Sequence, residues 1–317
     1  MEQEPENQGR TAIAASGGIV HWLSIPGGMR LRVAHWPDGE RGVVLLLNGR
    51  TEFIEKHLET VESLQERGFA VWTLDWRGQG ASSRALPDRL AHHIGHFDEY
   101  LFDLGLLLDR LVLPSLVRRP LLLMGHSMGG HVGAHLLARR GQPFTCAILC
   151  APMIDFLRGR RGPRWFVRLL VRGMCLVPGR GNRYAPGVPR RPDPFRPFKD
   201  NRLTSCPDRH EADLVWVRNN PALALGGVTW FWLRAALASV VALQDPRVLA
   251  AINMHVLVAM AGLDRIVDNG AMGHFALRLP RGKLVRIEGA RHELLREADV
   301  HRNAFWSAVD QFLRPLV

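Results

Sequence analysis

The sequence predicts an α/β protein in which a mostly parallel central sheet is flanked by helices and carries an inserted helical cap. Short apolar runs of strand length alternate with helical patterns over most of the 317 residues. Such continuous runs are typical of parallel strands that are buried between two layers of helices. The alternation stops near Met153 and resumes near residue 245. One α/β domain is therefore expected in two sequence pieces, with a helical insertion between them.

The strands are predicted from apolar runs that end in turn-forming residues. The first run is GVVLLLNG (42–49), and the amphipathic helix expected after it, ETVESLQERG (59–68), ends at a glycine. Further helices are expected in FDEYLFDLGLLLDRLV (97–112), MGGHVGAHLLARRG (128–141) and HRNAFWSAVDQFL (301–313). The other predicted strands are FAVWTLDW (69–76), PLLLMGHS (120–127), TCAILCAP (145–152), MHVLVAMAG (254–262) and GKLVRIEGA (282–290).

Residues 153–244 have a composition of their own. Arginine, proline and tryptophan are dense there, and strand-like runs are absent from the sequence pattern. Helices joined by proline-rich loops are expected from such a stretch. The chain is therefore divided into 1–152, the first part of the α/β core, 153–244, a helical cap, and 245–317, the second part of the core.

One apolar segment, PALALGGVTWFWLRAALASVVAL (221–243), has about the length of a membrane span. Arg234 lies near its middle, where insertion costs roughly 2.5–3.5 kcal/mol. Gly226 and Gly227 also interrupt the helical pattern. We therefore expect a buried pair of helices here in place of a transmembrane helix.

The composition is that of an ordinary globular protein, with 47% hydrophobic and 22% charged residues. The N-terminal stretch MEQEPENQGR lacks the basic and apolar regions of a secretory signal, so none is expected. The four cysteines form no CxxC pair, which favours a reduced protein over a disulfide framework. A cytoplasmic protein is therefore expected, with peripheral contact to the inner membrane as an extension of this hypothesis.

The formal net charge is +11 and the isoelectric point is about 10.7. Nucleic acid, an anionic membrane surface and an anionic substrate are the partners that such an excess indicates. The chain has no zinc-finger spacing, RNP motif or basic heptad, so specific nucleic-acid binding is not expected. An anionic lipid surface or an anionic substrate is the better hypothesis.

A serine lies between glycines where a predicted strand meets a predicted helix, in LLLMGHSMGGHVGAHLL (121–137). In the pattern Gly-x-Ser-x-Gly, formed by Gly125, Ser127 and Gly129, the serine occupies a sharp turn above the carboxyl edge of the sheet. Side chains in place of the glycines would clash in so tight a turn. Ser127 is therefore predicted to be a catalytic nucleophile. The alternative is an ordinary corner between strand and helix.

The partners of such a serine follow in the order acid, then histidine, each in a loop after a later strand. Asp264 lies at the exit of the predicted strand MHVLVAMAG, and His292 lies shortly after GKLVRIEGA. His292 is expected to take the proton of Ser127, while Asp264 holds the imidazole and stabilises its cation. Asp268, about one turn further on, is the alternative acid.

Two backbone N–H groups are needed to stabilise the negative charge that develops on the substrate oxygen. One is predicted at Met128, directly after the nucleophile, and the other at Arg50 in the loop NGRTEF (48–53). The alternative for this loop is a plain Asn-Gly turn. His131 and His135 have the spacing of a metal pair, but no acidic residue completes an HExxH pattern. They are expected to be surface or packing residues of a helix, and no metal site is predicted.

These blocks resemble those of the α/β-hydrolase superfamily, in particular its lysophospholipase and monoacylglycerol-lipase branch, over nearly the whole chain. NGRTEFIEKH is similar to the family's oxyanion segment, and NRLTS and GGVT are similar to signatures of its cap. The resemblance implies a serine esterase without metal or cofactor, and substrate contacts at Asn48, Gly49, Arg50 and Glu52. Asn48 departs from the histidine typical of monoacylglycerol lipases, and Cys206 stands where an acidic residue often follows Thr-Ser. The other similar blocks are DWRGQGASS, GHSMGG, AGLDRIVD and GARHELLRE.

A lysophospholipid is accordingly the expected substrate: acylation of Ser127 is followed by hydrolysis with water that His292 activates. The side chain of Arg50 is expected to meet the substrate phosphate. The alternatives are a monoacylglycerol lipase, a small-ester carboxylesterase or an acyltransferase on the same scaffold, and, more distantly, a non-catalytic lipid-binding protein. Haloalkane and epoxide hydrolases are disfavoured because they carry aspartate at the nucleophile position. The fold does not decide the substrate, and the sequence leaves the oligomeric state open.

A basic stripe is predicted on a helix of the cap, in RRGPRWFVRLLVRGMCLV (160–177). Its arginines recur every three to four residues, and large apolar residues fill the remaining positions. Such a helix can lie on an anionic bilayer with its arginines at the headgroups and its aromatic residues in the interface. The alternative is that the arginines face solvent while the apolar side packs onto the core. The arginines of the stripe are Arg161, Arg164, Arg168 and Arg172.

Overall fold

The computed structural model describes residues 4–156, 164–187 and 189–317. These residues contain an eight-stranded sheet with helices on both faces. The strands are β1 (Ile19–Ile25), β2 (Met29–Trp36), β3 (Gly42–Leu47), β4 (Phe69–Leu74), β5 (Leu121–His126), β6 (Phe144–Cys150), β7 (His255–Ala261) and β8 (Gly282–Ile287). The α-helices are α1 (Glu4–Ala15), α2 (Leu58–Gln65), α3 (Asp98–Leu107), α4 (Met128–Arg140), α5 (Arg164–Leu176), α6 (Pro207–Asn219), α7 (Trp230–Leu243), α8 (Pro246–Ala251), α9 (Asn269–Arg278) and α10 (Asp299–Leu313).

The sheet is mostly parallel, which confirms the predicted fold class. Its strand order is β1-β2-β4-β3-β5-β6-β7-β8, and every neighbouring pair from β4 onward is parallel. The six predicted strands are present as β3 to β8. The unpredicted strands β1 and β2 form an antiparallel hairpin, and β2 also pairs antiparallel with β4. Polar residues interrupt both of them (IVHWLSI and MRLRVAHW), so neither has the continuous apolar run of a strand that is buried on both faces.

The central strands are buried because helices cover both faces of the sheet. Alternate residues of a strand point to opposite faces, and accordingly Leu45 and Leu46 of β3 belong to two different hydrophobic clusters. The first cluster includes Leu104 of α3 and buried residues of α4, and the second includes Val61 of α2 and Phe305 of α10. The loops that follow the parallel strands meet at their carboxyl edge, where α/β proteins bind ligands.

Between β6 and β7 the described residues contribute helices and loops, and no strand to the sheet. The expectation of a buried helix pair in 221–243 is wrong. A 3₁₀ turn, Pro221–Leu223, is followed by a buried loop and then by the single helix α7. This loop requires a glycine at Gly226, because a Cβ atom there would collide with the carbonyl oxygen of Arg190. No helix among the described residues is long and apolar enough to cross a membrane. The boundaries of the cap, 153 and 244, stay a prediction, and we use "the cap" for residues 153–244.

Helix α5 packs on the rest of the cap through a small apolar face, and its largest apolar side chains lie outside that contact. Val171 is buried against α7, with Val167 beside it, whereas a row of large apolar side chains faces outward. Arg172 is exposed and Arg168 is half-buried, while Arg161 and the side chain of Arg164 lie outside the described residues. The expectation that the apolar side packs onto the core is therefore wrong for the largest side chains. Trp165, Phe166, Leu169 and Leu170 are between 51% and 63% exposed.

Candidate active site

Ser127 lies on a strained turn between β5 and α4. Its backbone φ of 51° falls in the left-handed region that non-glycine residues rarely adopt. A Cβ atom on Gly125 would lie 2.8 Å from the carbonyl oxygen of Gly129, and a Cβ atom on Gly129 would collide with backbone carbonyls at the end of β3. The two glycines therefore allow the helix to approach the sheet closely, and the turn presents Ser127 at the carboxyl edge.

Three buried side chains from separate loops meet in one hydrogen-bonded chain. Nε2 of His292 lies 2.9 Å from Oγ of Ser127, and Nδ1 of His292 lies 2.7 Å from Oδ2 of Asp264. The other carboxylate oxygen of Asp264 accepts the N–H groups of Ile266 and Val267. Burial by itself raises the pKa of Asp264, but the hydrogen bonds from His292 and the two N–H groups outweigh it and lower the pKa. The imidazole therefore faces an ionised carboxylate.

The alternative acid and the two regularly spaced histidines lie elsewhere. Oδ1 of Asp268 accepts the N–H of Ala271 at the start of α9. His131 and His135 are buried, and Nε2 of each contacts Ser239 of α7. Burial lowers the pKa of both histidines, so they are neutral packing residues and do not lie on the surface. Among the described residues, no group of three or more side chains could hold a metal ion.

The loop after β3 has a fixed backbone conformation. Thr51 has a φ of 68°, and its N–H donates to Oε1 of Gln79 at 2.7 Å. The amide of Gln79 donates in turn to the carbonyl oxygen of Gly49. No hydrogen bond from the N–H of Arg50 or of Met128 is found within the described part of the chain. Both of these groups therefore remain able to donate to a ligand.

Glu52 holds this loop from the protein interior. Its carboxylate accepts the N–H of Gly49 and lies 3.0 Å from Nε2 of His57 and 3.1 Å from Nδ1 of His126. Burial by itself raises the pKa of Glu52, but the neighbouring cationic groups keep it well below the ordinary value. This carboxylate is bound to protein groups while it also lines the cavity, so the expected substrate contact at Glu52 stays a prediction.

His126, the residue before the nucleophile, contacts a hydrogen-bond acceptor with each ring nitrogen. Nδ1 faces the Glu52 carboxylate, and Nε2 lies 3.2 Å from the carbonyl oxygen of His292. An imidazole can donate from both nitrogens only when it is protonated. Burial lowers the pKa of His126, but the Glu52 carboxylate outweighs it and raises the pKa. His126 thus joins the loop after β3 to the loop that carries His292, and both contacts favour its protonated form.

Lys56 connects this cluster to the cap. Its ammonium lies 2.7 Å from Glu293, 3.1 Å from Asp213 of α6 and 3.7 Å from Glu52. Arg296 contacts the other oxygen of Asp213 at 3.0 Å. Burial lowers the pKa of Lys56, but the three carboxylates outweigh it and raise the pKa. One ammonium thus links the loop after β3, the loop that carries His292 and a helix of the cap.

A cavity of about 1440 Å³ extends from Ser127 and His292 between the core and the cap. Much of its wall is apolar, and a smaller number of charged residues also line it. Its volume exceeds the roughly 300–1000 Å³ of ordinary small-molecule sites, so it has room for a long flexible ligand. The larger apolar side chains of its wall are Phe53, Met153, Phe156, Leu214, Leu225, Trp232, Leu233 and Ile266.

Arg50 is the charged residue of the oxyanion loop that lines this cavity. Its guanidinium donates to the carbonyl oxygen of Gly226 at 3.0 Å, and it forms no ion pair within the described residues. Burial without a neutralising partner lowers the pKa of Arg50 to about 10, which leaves it cationic at neutral pH. Asn48, by contrast, does not line the cavity: its side chain donates to the carbonyl oxygen of Leu74 at 2.9 Å. The expected substrate contact at Asn48 is therefore replaced by a contact that anchors the loop to β4.

Comparison with known proteins identifies the family. A model of the Hydrolase_4 family, described as "Serine aminopeptidase, S33", matches residues 38–299. Lysophospholipase L2 of Escherichia coli (strain K12) is 31% identical over 282 residues, which cover 85% of this chain and 79% of that protein.

Two solved structures share the fold. A soluble variant of monoglyceride lipase from Saccharomyces cerevisiae has a TM-score of 0.70 at 19% identity, covering 95% of this chain and 97% of the other. A carboxyl esterase from Bacillus coagulans has a TM-score of 0.76 at 15% identity, covering 95% and 99%. The chain therefore belongs to the Hydrolase_4 family: it is an α/β hydrolase, an enzyme of the carboxylic ester hydrolase class.

Proposed function

We propose that this enzyme is a lysophospholipase that uses Ser127, His292 and Asp264 as a catalytic triad. Nε2 of His292 takes the proton as Oγ of Ser127 attacks the ester carbonyl, and Asp264 holds the imidazole and stabilises its cation. As the tetrahedral intermediate collapses, His292 gives this proton to the leaving oxygen, which releases the glycerol alcohol and leaves the acyl chain on Ser127. Water that His292 deprotonates then frees the fatty acid. The observation that carries the proposal is the hydrogen-bonded Ser–His–Asp chain in a largely apolar cavity, which is also lined by Arg50, an arginine that has no ion pair among the described residues.

The N–H groups of Arg50 and Met128 form the proposed oxyanion hole. Both flank Ser127 in the fold: Met128 follows it at the first residue of α4, and the loop with Arg50 lines the same cavity. Gln79 and Glu52 hold that loop in place, so the donors need little reorganisation during the reaction. Preorganised donors of this kind contribute most of the transition-state stabilisation in acyl transfer.

The chemistry of the cavity supports a single-chain phospholipid. An acyl chain fits the apolar wall, and the Arg50 guanidinium fits the phosphate that lies a few bonds from the scissile ester. A charged group buried without a partner is costly, so a phosphate that pairs with Arg50 gains more than it would in water. Relatives support the same class, since lysophospholipase L2 of Escherichia coli covers most of the chain.

The first test is fatty-acid release from lysophosphatidylcholine and from a monoacylglycerol of equal chain length. We expect release from the lysophospholipid by the wild type and a loss of at least about a thousandfold in Ser127→Ala, because the nucleophile is removed. A monoacylglycerol lipase, which the likeness to the yeast enzyme favours as the second candidate, would prefer the other substrate. Lack of reaction with an organophosphonate probe would indicate a non-catalytic lipid-binding protein.

We also propose that α5 contacts an anionic membrane surface from which the substrate comes. Its exposed Trp165, Phe166, Leu169 and Leu170 form one apolar row, with the exposed Arg172 on the same helix. Interfacial helices combine such a row with arginines at the headgroup level. Leu169→Ser with Leu170→Ser is expected to weaken sedimentation with phosphatidylglycerol vesicles. A matched control, Leu277→Ser with Val300→Ser, removes two exposed apolar residues elsewhere. Equal binding to neutral vesicles, or equal weakening by the control, would contradict the proposal.

A further inference from the structure

The excess positive charge of this protein is concentrated in the cap. Residues 153–244 contain sixteen Lys and Arg against six Asp and Glu, a net charge of +10 out of the total of +11. The rest of the chain is nearly neutral. The cap also supplies most of the exposed residues that line the cavity, so its charge lies where a ligand enters.

Four exposed cations line the mouth of the cavity without an ion pair in the described part of the chain. Arg191, Lys199 and Arg202 come from one cap segment, and Arg265 follows β7. Nearby, the guanidinium of Arg291 donates to backbone carbonyl oxygens of the same cap segment. A carbonyl oxygen binds a guanidinium without neutralising it, so this end of the cavity keeps its positive potential.

The acidic side chains of the described cavity wall do not offset these cations. Glu52, Asp213 and Glu293 all contact the ammonium of Lys56. Asp193, at the mouth, is the fourth, and its carboxylate accepts the N–H of Phe195. Three of the four carboxylates are therefore bound to one buried lysine and are not placed to receive a cationic headgroup.

From this distribution we infer that the cavity selects lysophospholipids with a net negative headgroup over zwitterionic ones. The inference rests on the proposed function, since it specifies the substrate of the same site. The phosphate of either lipid can pair with Arg50. A choline or ethanolamine cation would then face the mouth cations, Arg191, Lys199, Arg202 and Arg265. A glycerol headgroup carries no such cation and leaves the attraction between the mouth and the phosphate unopposed. Like charges at contact distance disfavour binding even in a partly hydrated site.

The test compares lysophosphatidylglycerol, lysophosphatidylcholine and a monoacylglycerol of equal chain length. Each is supplied below its critical micelle concentration, so that no charged lipid surface contributes. At low salt we expect kcat/KM to be about tenfold higher for the glycerol headgroup than for choline, and the ratio to fall as salt screens the mouth. The variant R191Q/K199Q/R202Q/R265Q is expected to bring this ratio close to one. The matched control R110Q/R281Q/K283Q/R314Q removes four exposed cations outside the cavity lining and is expected to keep the wild-type ratio.

The outcomes separate this inference from the proposed function. Equal rates on the two lysophospholipids, or a wild-type ratio in the mouth variant, would overturn the headgroup selection while leaving the lysophospholipase. Hydrolysis of monoacylglycerol alone would overturn the proposed function instead. If the mouth variant loses only its sedimentation with phosphatidylglycerol vesicles and keeps its ratio on monomeric substrate, the cations serve a membrane surface and the inference is wrong.

Discussion

The core and the cap use their charged residues differently. The core, residues 1–152 with 245–317, has 25 Lys and Arg against 24 Asp and Glu, and the cations that are most deeply buried in it have carboxylate partners. Arg32, for example, contacts both Glu55 and Asp75. In the cap the cations outnumber the acids, and several of those that line the cavity have no ion pair within the described residues. The deeply buried charges of the core therefore fix backbone geometry, whereas several cations of the cap remain available to ligands.

The same contrast between a paired and an unpaired charge is found for Lys56 and Arg50, which both lie between β3 and α2. Lys56 is surrounded by carboxylates and holds three segments together. Arg50, six residues earlier, donates to a backbone carbonyl and keeps its charge for the cavity. The comparison predicts that removing a paired charge changes the geometry of catalysis, while removing an unpaired one changes which substrate is used.

Among substitutions of the charged residues in this comparison, the largest effect is expected from Glu52→Gln. A neutral amide cannot hold His126 as a cation, so the oxyanion loop shifts and a preorganised donor is lost. We expect kcat to fall about a hundredfold, with KM changed by less than about threefold because the cavity wall is intact. The measurement is steady-state hydrolysis, with Glu62→Gln, an exposed carboxylate on α2, as the control. A wild-type kcat in Glu52→Gln would show that this carboxylate does not position the loop.

A smaller and selective effect is expected from Arg50→Ala. The substitution removes the guanidinium but keeps the backbone N–H, so the oxyanion hole can still form. A hydrogen bond to a charged group contributes about 1.5–3 kcal/mol, so the loss on lysophospholipid is expected to exceed the loss on monoacylglycerol by about tenfold or more. Parallel kcat/KM measurements on the two substrates check this. Equal losses on both would remove Arg50 from the recognition of the phosphate.

The smallest effect is a pH dependence of stability from His126. Its pKa is raised above the ordinary 6.5 in the folded state, so the stabilisation is full below pH 6.5 and is lost as the pH rises through the folded value. The slope in that window is at most about 1.4 kcal/mol per pH unit. Thermal unfolding of the wild type and His126→Gln between pH 6 and pH 9 measures it.

The Tm difference between these two proteins is expected to shrink as the pH rises. Their comparison isolates His126 because every other titratable group is common to both proteins. Burial lowers the pKa values of His131 and His92, so these two histidines act in the opposite direction, but equally in both. A difference that stays constant over the range would show that His126 is neutral in the folded protein.

Much of the fold could be predicted because its signals are local. A strand buried on both faces must be apolar throughout, and β3 to β8 carry such runs. The hairpin of β1 and β2 has no such signal, since polar residues interrupt it, although Pro26-Gly27-Gly28 marks its turn. The sequence also left open whether the large apolar residues of α5 face outward or pack on the core. The same helix carries a second, smaller apolar face through Val167 and Val171, and a local pattern does not show which face is buried.

The sequence by itself determined the parallel α/β fold, the turn at Ser127 and the order of serine, acid and histidine along the chain. These follow from backbone constraints and burial within a few consecutive residues. Only the tertiary structure decided that Asp264 and not Asp268 contacts His292, that the pKa of His126 is raised, and that Lys56 contacts carboxylates while Arg50 donates to a backbone carbonyl oxygen. Charge states and hydrogen-bond partners depend on groups far apart in the chain, such as Lys56 and Glu293, which are separated by 237 positions. A sequence pattern contains the residues of such a contact but not the distance between them.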